Sequence, residues 1–299
     1  MSRFKSISFK VILLFGCATG LYFFTEQKTQ GFRFYHLISN LPNESRWEVP
    51  PLDAHEMARI NQLLDQPFTF LGSGGWCYAF LGADQNTVIK FFKHSHLTPL
   101  NILKDFSFKK LLLQSPPDNY LPYYFHPFNF TSCTLMYSKL KQQSGIQYLH
   151  LNKTQGLHPV ITLYDKIGMR YTIDLNETEF LVQDRAELIF PHIHRLVKKK
   201  DLPAAKRAID DMLACILSIY KEGIRDADHA LRNNFGYVHG HPVTIDLSSW
   251  VPDETMKIPG NYKKELVVKT RRLSRWLNKY HPELHAYLED RLSEIIETG

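Results

Sequence analysis

Aromatic and β-branched residues cluster in short runs from Pro67 onward. PFTFLGSGG, WCYAFLG and TVIKFFK are each bounded by Gly or Asn, a pattern that predicts three strands. YLHLN, VITLYDKIG, RYTIDLN and EFLVQ repeat it farther on, joined by turns containing Gly and Asn. Helical spacing of apolar residues covers Asp53 to Leu64, with Asp53 placed to cap the first turn. It recurs over Leu97 to Leu113, closed by Pro116-Pro117, and over Thr131 to Ser144, stopped by Gly145. A longer helix is predicted from about Leu202 to Glu222, opened by Asp201 and ended by Gly223. Two short strands, FGYV and PVTIDL, follow around HGH, and the tail from Asn261 is helical with a break at His281-Pro282. The turn-rich NLPNESRWEVPPL reads as a linker. This order of elements predicts an α+β chain with a β-rich first lobe and a helical second lobe.

The N-terminus has a different pattern. Arg3, Lys5 and Lys10 precede an apolar run from Val11 to Phe24, with no acid among them. That order reads as a signal peptide or a signal anchor. The run is shorter than the ~20 apolar residues of a spanning helix. Counting from Ile7, with Lys10 snorkelling, brings it close. The expectation is a membrane protein with one pass near its N-terminus. The alternatives are a cleaved signal, with Ala18 and Gly20 at cleavage spacing, a lipoprotein signal ending at Cys17, and a buried helix. Charge ahead of the run sends the remainder across the membrane, while Lys28 and Arg33 on the other flank oppose this. The side therefore stays open.

Composition narrows the classes. The chain has 299 residues, 44% of them apolar and 13% aromatic. That is enough for one large domain or two small ones, and it argues against extended disorder. A charged fraction of 22% leaves room for one membrane segment but not for several. The net charge of +6 does not identify a nucleic-acid partner, because no basic patch alternates with exposed aromatics. Cys17, Cys77, Cys133 and Cys215 lie far apart without a CxxC pair, so neither a zinc site nor a disulfide framework is expected.

Two segments carry candidate chemistry. In FLGSGGWCYAFLGADQNTVIKFFK, residues 70–93, a strand enters a loop holding Gly72, Gly74 and Gly75, and a later strand ends in Lys90. Glycines let a backbone turn tightly and approach phosphates without a Cβ, and a lysine on an adjacent strand can set its ammonium against them. A plain hairpin with a Gly-rich turn is the bland reading. GIRDADHALRNNFGYVHGHPVTIDLSSW, residues 223–250, offers Asp226 and Asp228, then Asn233 and Asn234, and finally Asp246 at the end of an apolar strand. Phosphoryl transfer uses such a set. One carboxylate orients the attacking hydroxyl, and an amide and a second carboxylate hold magnesium against nucleotide phosphates. Caps and turns are the bland alternative here.

With these two segments in this order, the chain resembles the protein-kinase-like superfamily over about residues 67–250. LGSGGWCYAF resembles its glycine-rich loop, with Ala79 where the family usually has Val. Lys90 in VIK resembles its phosphate-binding lysine, and Asp228 with Asn233 its HxDxxxxN catalytic loop. Asp226 stands where the family has His, or serves as the catalytic acid if the loop is irregular. Asn234 competes with Asn233 for the metal. Asp246 in DLS resembles the metal-binding Asp of DFG, with Ser248 in the Gly position. EFLVQDRAELI resembles the last strand of the first lobe and the hinge, which would bring Gln183 to Ala186 to the adenine edge. The resemblance implies a two-lobed kinase-like fold with a β-rich N-lobe over residues 67–185 and a reduced helical C-lobe over 186–299. Residues 1–26 would be the signal or membrane helix, and 27–66 a linker with a short helix. It also implies ATP and Mg2+ as cofactors. The nearest likeness is to bacterial kinase-like membrane-anchored proteins.

Several departures qualify the activity. No Glu occurs between Glu56 and Glu177 to pair with Lys90, so Asp105, Gln142 or Gln143 would have to substitute. No Ala-Pro-Glu motif follows Asp246, and only 53 residues do. These features favour a compact kinase acting on a small molecule or glycan, or an inactive relative, over an ordinary protein kinase. The alternative is a pseudokinase acting as a nucleotide- or protein-binding module. An α+β binding domain with chance motifs is the third reading. His192 and His194 read as helix-start or surface residues, and Lys198 to Lys200 as a solvated helix end.

Overall fold

The computed structural model describes residues 2–94 and 127–298. The helix expected over Leu97–Leu113, Asp105, and all but the last residues of the aromatic stretch 120–130 lie outside them. Its first elements are α1 (Ser2–Thr29), α2 (Ala54–Leu64), β1 (Phe68–Ser73), β2 (Cys77–Gly82), β3 (Thr87–Phe92), α3 (Pro127–Lys139) and α4 (Lys141–Ser144). Then come β4 (Ile146–His150), β5 (Val160–Tyr164), β6 (Arg170–Asp174), β7 (Phe180–Asp184), β8 (Glu187–Leu188), α5 (Ile189–Lys198) and α6 (Leu202–Lys221). The last are β9 (Ile224–Asp226), α7 (Leu231–Asn234), β10 (Phe235–Val238), β11 (His241–Thr244), β12 (Trp250–Pro252), α8 (Pro259–Tyr280) and α9 (Pro282–Thr298). The chain is α+β, as the pattern of runs requires. It divides into two units. One gathers the described residues of Met1–Pro42, Asp53–Phe125 and Asn152–Phe180, and the other those of Asn43–Leu52, His126–Leu151 and Leu181–Gly299.

The N-terminal run does form a helix, α1, which ends where Gln30 and Gly31 take positive φ. Among the described residues, however, no helix is long and apolar enough to cross a membrane. The spanning helix expected there is thus not supported. The apolar run from Val11 to Phe24 falls short of a span and is followed closely by Glu26 and Lys28.

In the first unit, β3, β2, β1, β5 and β6 lie side by side. All neighbours are antiparallel except β1 and β5. Phe70, Phe80 and Ile89 stand in register and are buried, which fixes the inward face. Phe32 enters from beyond α1 and meets the rings of Tyr78, Phe80, Phe70 and Tyr171 at 5.1, 5.5, 5.7 and 5.6 Å. The aromatic content of the β-rich segment is thus spent on its core. Asp84 organises the turn between β2 and β3, accepting from the Asn86 and Thr87 amides at 2.9 Å each.

In the second unit, α6 starts at the Asp201 cap and buries nine residues, from Ala205 to Tyr220. Beside it β10 pairs with β11 and with β8, and β9 pairs with β12. Strands β9 and β12 are three residues each, too short for a run of apolar residues to mark them, and their pairing makes them strands. The PHIHR histidines fall in α5, two residues apart and therefore on different faces. His192 stacks on Tyr237 at 4.1 Å and contacts Glu187 at 2.8 Å, whereas His194 meets His281 at 3.3 Å. Lys198 to Lys200 are exposed at the helix end.

Glu187 joins α5 to the β8–β10 ladder. Two hydrogen bonds from Arg195, at 2.8 and 2.6 Å, and the one with His192 outweigh burial and hold its carboxyl at about 2. The folded value lies below the usual one, so the native state binds fewer protons. The contribution is complete above about pH 4.5 and is lost as pH falls toward 2. Urea unfolding should show the wild type losing more stability than Glu187→Gln between pH 5 and pH 2. Equal losses would mean that this cluster does not set the acid response.

Candidate active site

In the first unit, Gly72, Ala79 and Lys90 lie opposite one another across β1, β2 and β3. Directly opposed residues share a face, so Lys90 stands on the face away from Phe80 and Ile89. The loop from Ser73 to Trp76 closes with the Gly74 amide on the Cys77 carbonyl at 2.9 Å. None of Gly72, Gly74 and Gly75 has a positive φ. A Cβ would meet nothing within 4 Å at Gly72 or Gly75, and only the Cys77 carbonyl at 3.7 Å at Gly74. Neither the turn nor the packing requires glycine there, contrary to the tight-turn rationale. Close approach of something outside the strands remains as a physical reason for them. Gly236 is the opposite case, since its Cβ would lie 2.6 Å from the Glu187 carbonyl.

Sequence reasoning missed Lys93. Its ammonium donates to Ser73 Oγ at 2.8 Å and to the Gly74 carbonyl at 2.5 Å, and lies 4.4 Å from the Tyr78 ring centre. Burial holds its pKa below the ordinary lysine value. Two lysines three positions apart in KFFK were equally visible in the chain. Only one was matched to a role, because the role came from a motif.

The second unit brings Asp226, Asp228, Asn234 and Asp246 into one hydrogen-bonded network. Asp226 ends β9, opposite Trp250 of β12, and is 1% exposed. One of its carboxylate oxygens accepts from the Asp228 amide at 3.0 Å and from Ser249 Oγ at 2.5 Å, and the other from Lys269 Nζ. Both oxygens are therefore occupied within the protein. Asp228 is exposed, and its carboxylate accepts from the Ala230 amide and from Asn234 Nδ2, each at 2.9 Å. Thr244 Oγ1 donates to the Asn234 carbonyl at 3.1 Å and lies 3.5 Å from that of Asp246. Ser248 folds back on Asp246, donating its amide at 3.1 Å and its hydroxyl at 2.7 Å to the same oxygen. The other Asp246 oxygen makes no hydrogen bond among the described residues. Asn233 is exposed on α7 and stands outside this network.

The two hinge residues differ. Gln183 is buried in β7, with its amide donating to the Ser144 and Thr244 carbonyls. Its side chain is thereby committed to the interior. Ala186 precedes β8 and is part-exposed. The second unit also carries an open groove of about 1000 Å³ elsewhere, lined by Gln147, Asp184, Asp211, Ser218, His239 and His241 among others. None of the candidate acids lines it, but Asp184 of the Gln183–Ala186 stretch does.

Lys269 was also missed. It occupies a core position of α8, with Leu266, Thr270, Leu273 and Leu277 buried around it. A lysine in the apolar stripe of an amphipathic helix demands a buried acid. That signal was present in the chain.

No protein-family model matches the chain, and no curated protein matches it. Among solved structures it is similar to two of the bifunctional kinase–methyltransferase WbdD, at 14% identity and TM-scores of 0.32 and 0.33, covering 73% and 75% of this chain. The match spans less than half of the WbdD chain, 43% and 46%. It is also similar to WaaP in complex with acyl carrier protein, at 10% identity and a TM-score of 0.32, covering 80% of this chain and 92% of that one. The streptomycin–ATP–APH(2")-IIa ternary complex matches at 14% identity and a TM-score of 0.26, covering 83% and 91%. At such TM-scores the likeness is too loose to transfer any residue or activity, and the functional reading stands on this chain's own residues.

The glycines give a direct test. Gly74→Ala and Gly75→Ala should leave unfolding free energy within about 0.5 kcal/mol of wild type. Gly236→Ala should cost about 1–3 kcal/mol through overpacking. If the loop glycines serve ligand approach, the first two variants should also weaken ATP binding, measured by calorimetry. Unchanged binding in both would leave the loop an ordinary hairpin.

Proposed function

We propose that the chain is a divergent kinase-like phosphotransferase that uses ATP and magnesium on an acceptor hydroxyl. The observation that carries this reading is the Asp228–Asn234–Thr244–Asp246 network, which presents one exposed carboxylate beside an amide and a second carboxylate. Asp228 would orient the acceptor hydroxyl and take its proton. Lys90 and the glycines at 72, 74 and 75 would bind nucleotide phosphates. Ala186 would lie near the adenine edge through its backbone.

The donor set fits magnesium. Among the described residues Asp246 keeps one carboxylate oxygen clear of hydrogen bonds, and Asn234 turns its amide nitrogen to Asp228, which leaves its oxygen to ligate. Magnesium binds through one or two carboxylates plus substrate phosphates rather than in an all-protein cage. When bound, the ion would offset the charge of the phosphates. Asn234 suits this role better than Asn233, because it is buried in the network.

One observation favours the alternative, an inactive module that binds nucleotide or protein. The Lys93 ammonium sits on the glycine loop and occupies the Gly74 carbonyl. Asp246→Ala separates the readings. With folding intact by circular dichroism, the variant should lose magnesium-dependent ATP turnover. A wild type that binds ATP without turnover would support the inactive module. A wild type without any nucleotide-induced thermal shift would end both readings, since a ligand must stabilise the state it binds.

Membrane attachment through the N-terminal segment belongs to the same proposal. It rests on the basic residues ahead of the run from Val11 to Phe24 and on the exposure of Leu21, Tyr22, Phe23 and Phe24. Vesicles containing anionic lipid should retain the full chain in a flotation assay. A Phe23→Ser/Phe24→Ser variant should float less, and equal flotation would exclude this surface.

A further inference from the structure

Helix α8 reaches the Asp226–His229 loop at two places. Glu265 and Lys269, four positions apart, share one face of the helix. The Glu265 carboxylate contacts His229 Nε2 at 2.6 Å. Lys269 Nζ pairs with the Asp226 carboxylate and donates to the Asp228 carbonyl at 3.2 Å. The Asp228 amide in turn donates to Asp226 Oδ1 at 3.0 Å. Both backbone hydrogen-bonding groups of Asp228 thus end on one buried ion pair. The pair itself is sealed, with Lys269 2% and Asp226 1% exposed, and the Trp250 ring centre lies 5.3 Å from the ammonium.

A buried ion pair is a poor device for stability, because desolvating both charges offsets much of their attraction. Apolar side chains of the same volume often hold a fold as well. What apolar side chains cannot do is hold a backbone carbonyl and a backbone amide on either side of one residue. We infer that Lys269, with Asp226 as its counter-ion, is a positioning residue that fixes the backbone of Asp228, and that Asp226 is not itself the acid that meets the substrate. The inference rests on the phosphotransferase reading for the task of Asp228, but the pinning of the loop is a property of this unit alone.

The test uses the full chain with Lys269→Met combined with Asp226→Asn. Both charges leave together, so neither is stranded. Methionine fills the lysine stem, and asparagine keeps the oxygen that accepts from the Asp228 amide and Ser249. The expected result is a urea midpoint like that of the wild type, amide hydrogen exchange at residues 227–230 faster by about tenfold, and kcat for magnesium-dependent ATP turnover lower by on the order of 10–100-fold, the range that an ångström of misplacement can cause. KM for ATP should stay within about twofold. Wild-type exchange together with wild-type kcat would overturn the inference. If the double variant does not fold, Lys269→Arg decides the matter. Arginine keeps the charge but moves the donors, so a purely structural pair would tolerate it with full turnover, whereas a positioning residue would not. A wild type with no ATP turnover would sink the phosphotransferase reading, and the exchange measurement would still judge whether the ion pair pins the loop.

Discussion

A lysine and an aspartate almost sealed from water organise the loop that carries the candidate acid Asp228. Lys269 would be intolerable in the apolar stripe of α8 without Asp226, and Asp226 would be intolerable at the end of β9 without Lys269. Once paired, the two charges take hold of the backbone on both sides of Asp228. They also reach Ser249, whose carbonyl accepts the Ala227 amide at 2.8 Å, and so tie β9 to the segment that follows Asp246. The loop carrying one candidate acid and the loop carrying the other are thus referred to the same buried point.

The first unit solves a different problem. Its sheet is filled by aromatic rings, and Lys90 stands on the face of β3 opposite Ile89 and Phe91, between the buried Val88 and Phe92. The glycine loop at the end of β1 is shaped by a strand-to-strand hydrogen bond and by the Lys93 ammonium rather than by glycine's special conformations. Its glycines therefore stand out from Gly145, Gly223 and Gly236, each of which answers a local backbone or packing demand: positive φ at the first two, and the closeness of β8 at the third.

Much of the architecture was legible because it is local. Asp53 and Asp201 announced the helices they cap, Gly223 the end of the one that Asp201 opens, and Gly145 the end of α4. The short aromatic and β-branched runs TVIKFFK and WCYAFLG, bounded by Gly or Asn, announced β3 and β2. The candidate site was legible as a set of residue types and only partly as an arrangement. Spacing favoured Asn233, yet Asn234 holds Asp228, since the turn of α7 decides which amide faces the loop. Gln183 read as a hinge residue, yet its amide is consumed by carbonyls inside the unit. The N-terminal run read as a membrane span, and it forms a helix without the apolar length for one.

From the chain alone came the α+β order, the caps and the inventory of acids, amides and lysines able to handle a phosphate, because propensity, periodicity and residue chemistry act over a few neighbouring positions. Which of those groups stay available to a substrate and which are spent on the protein itself was settled by contacts between distant segments. Asp226 and Lys269 are 43 positions apart, with β10, β11 and β12 between them, and no local pattern can say that one will neutralise the other. Burial then does the sorting: a charge taken out of water must be answered by the partner that folding brings to it, as Lys269 answers Asp226, whereas Asp228 stays exposed to solvent.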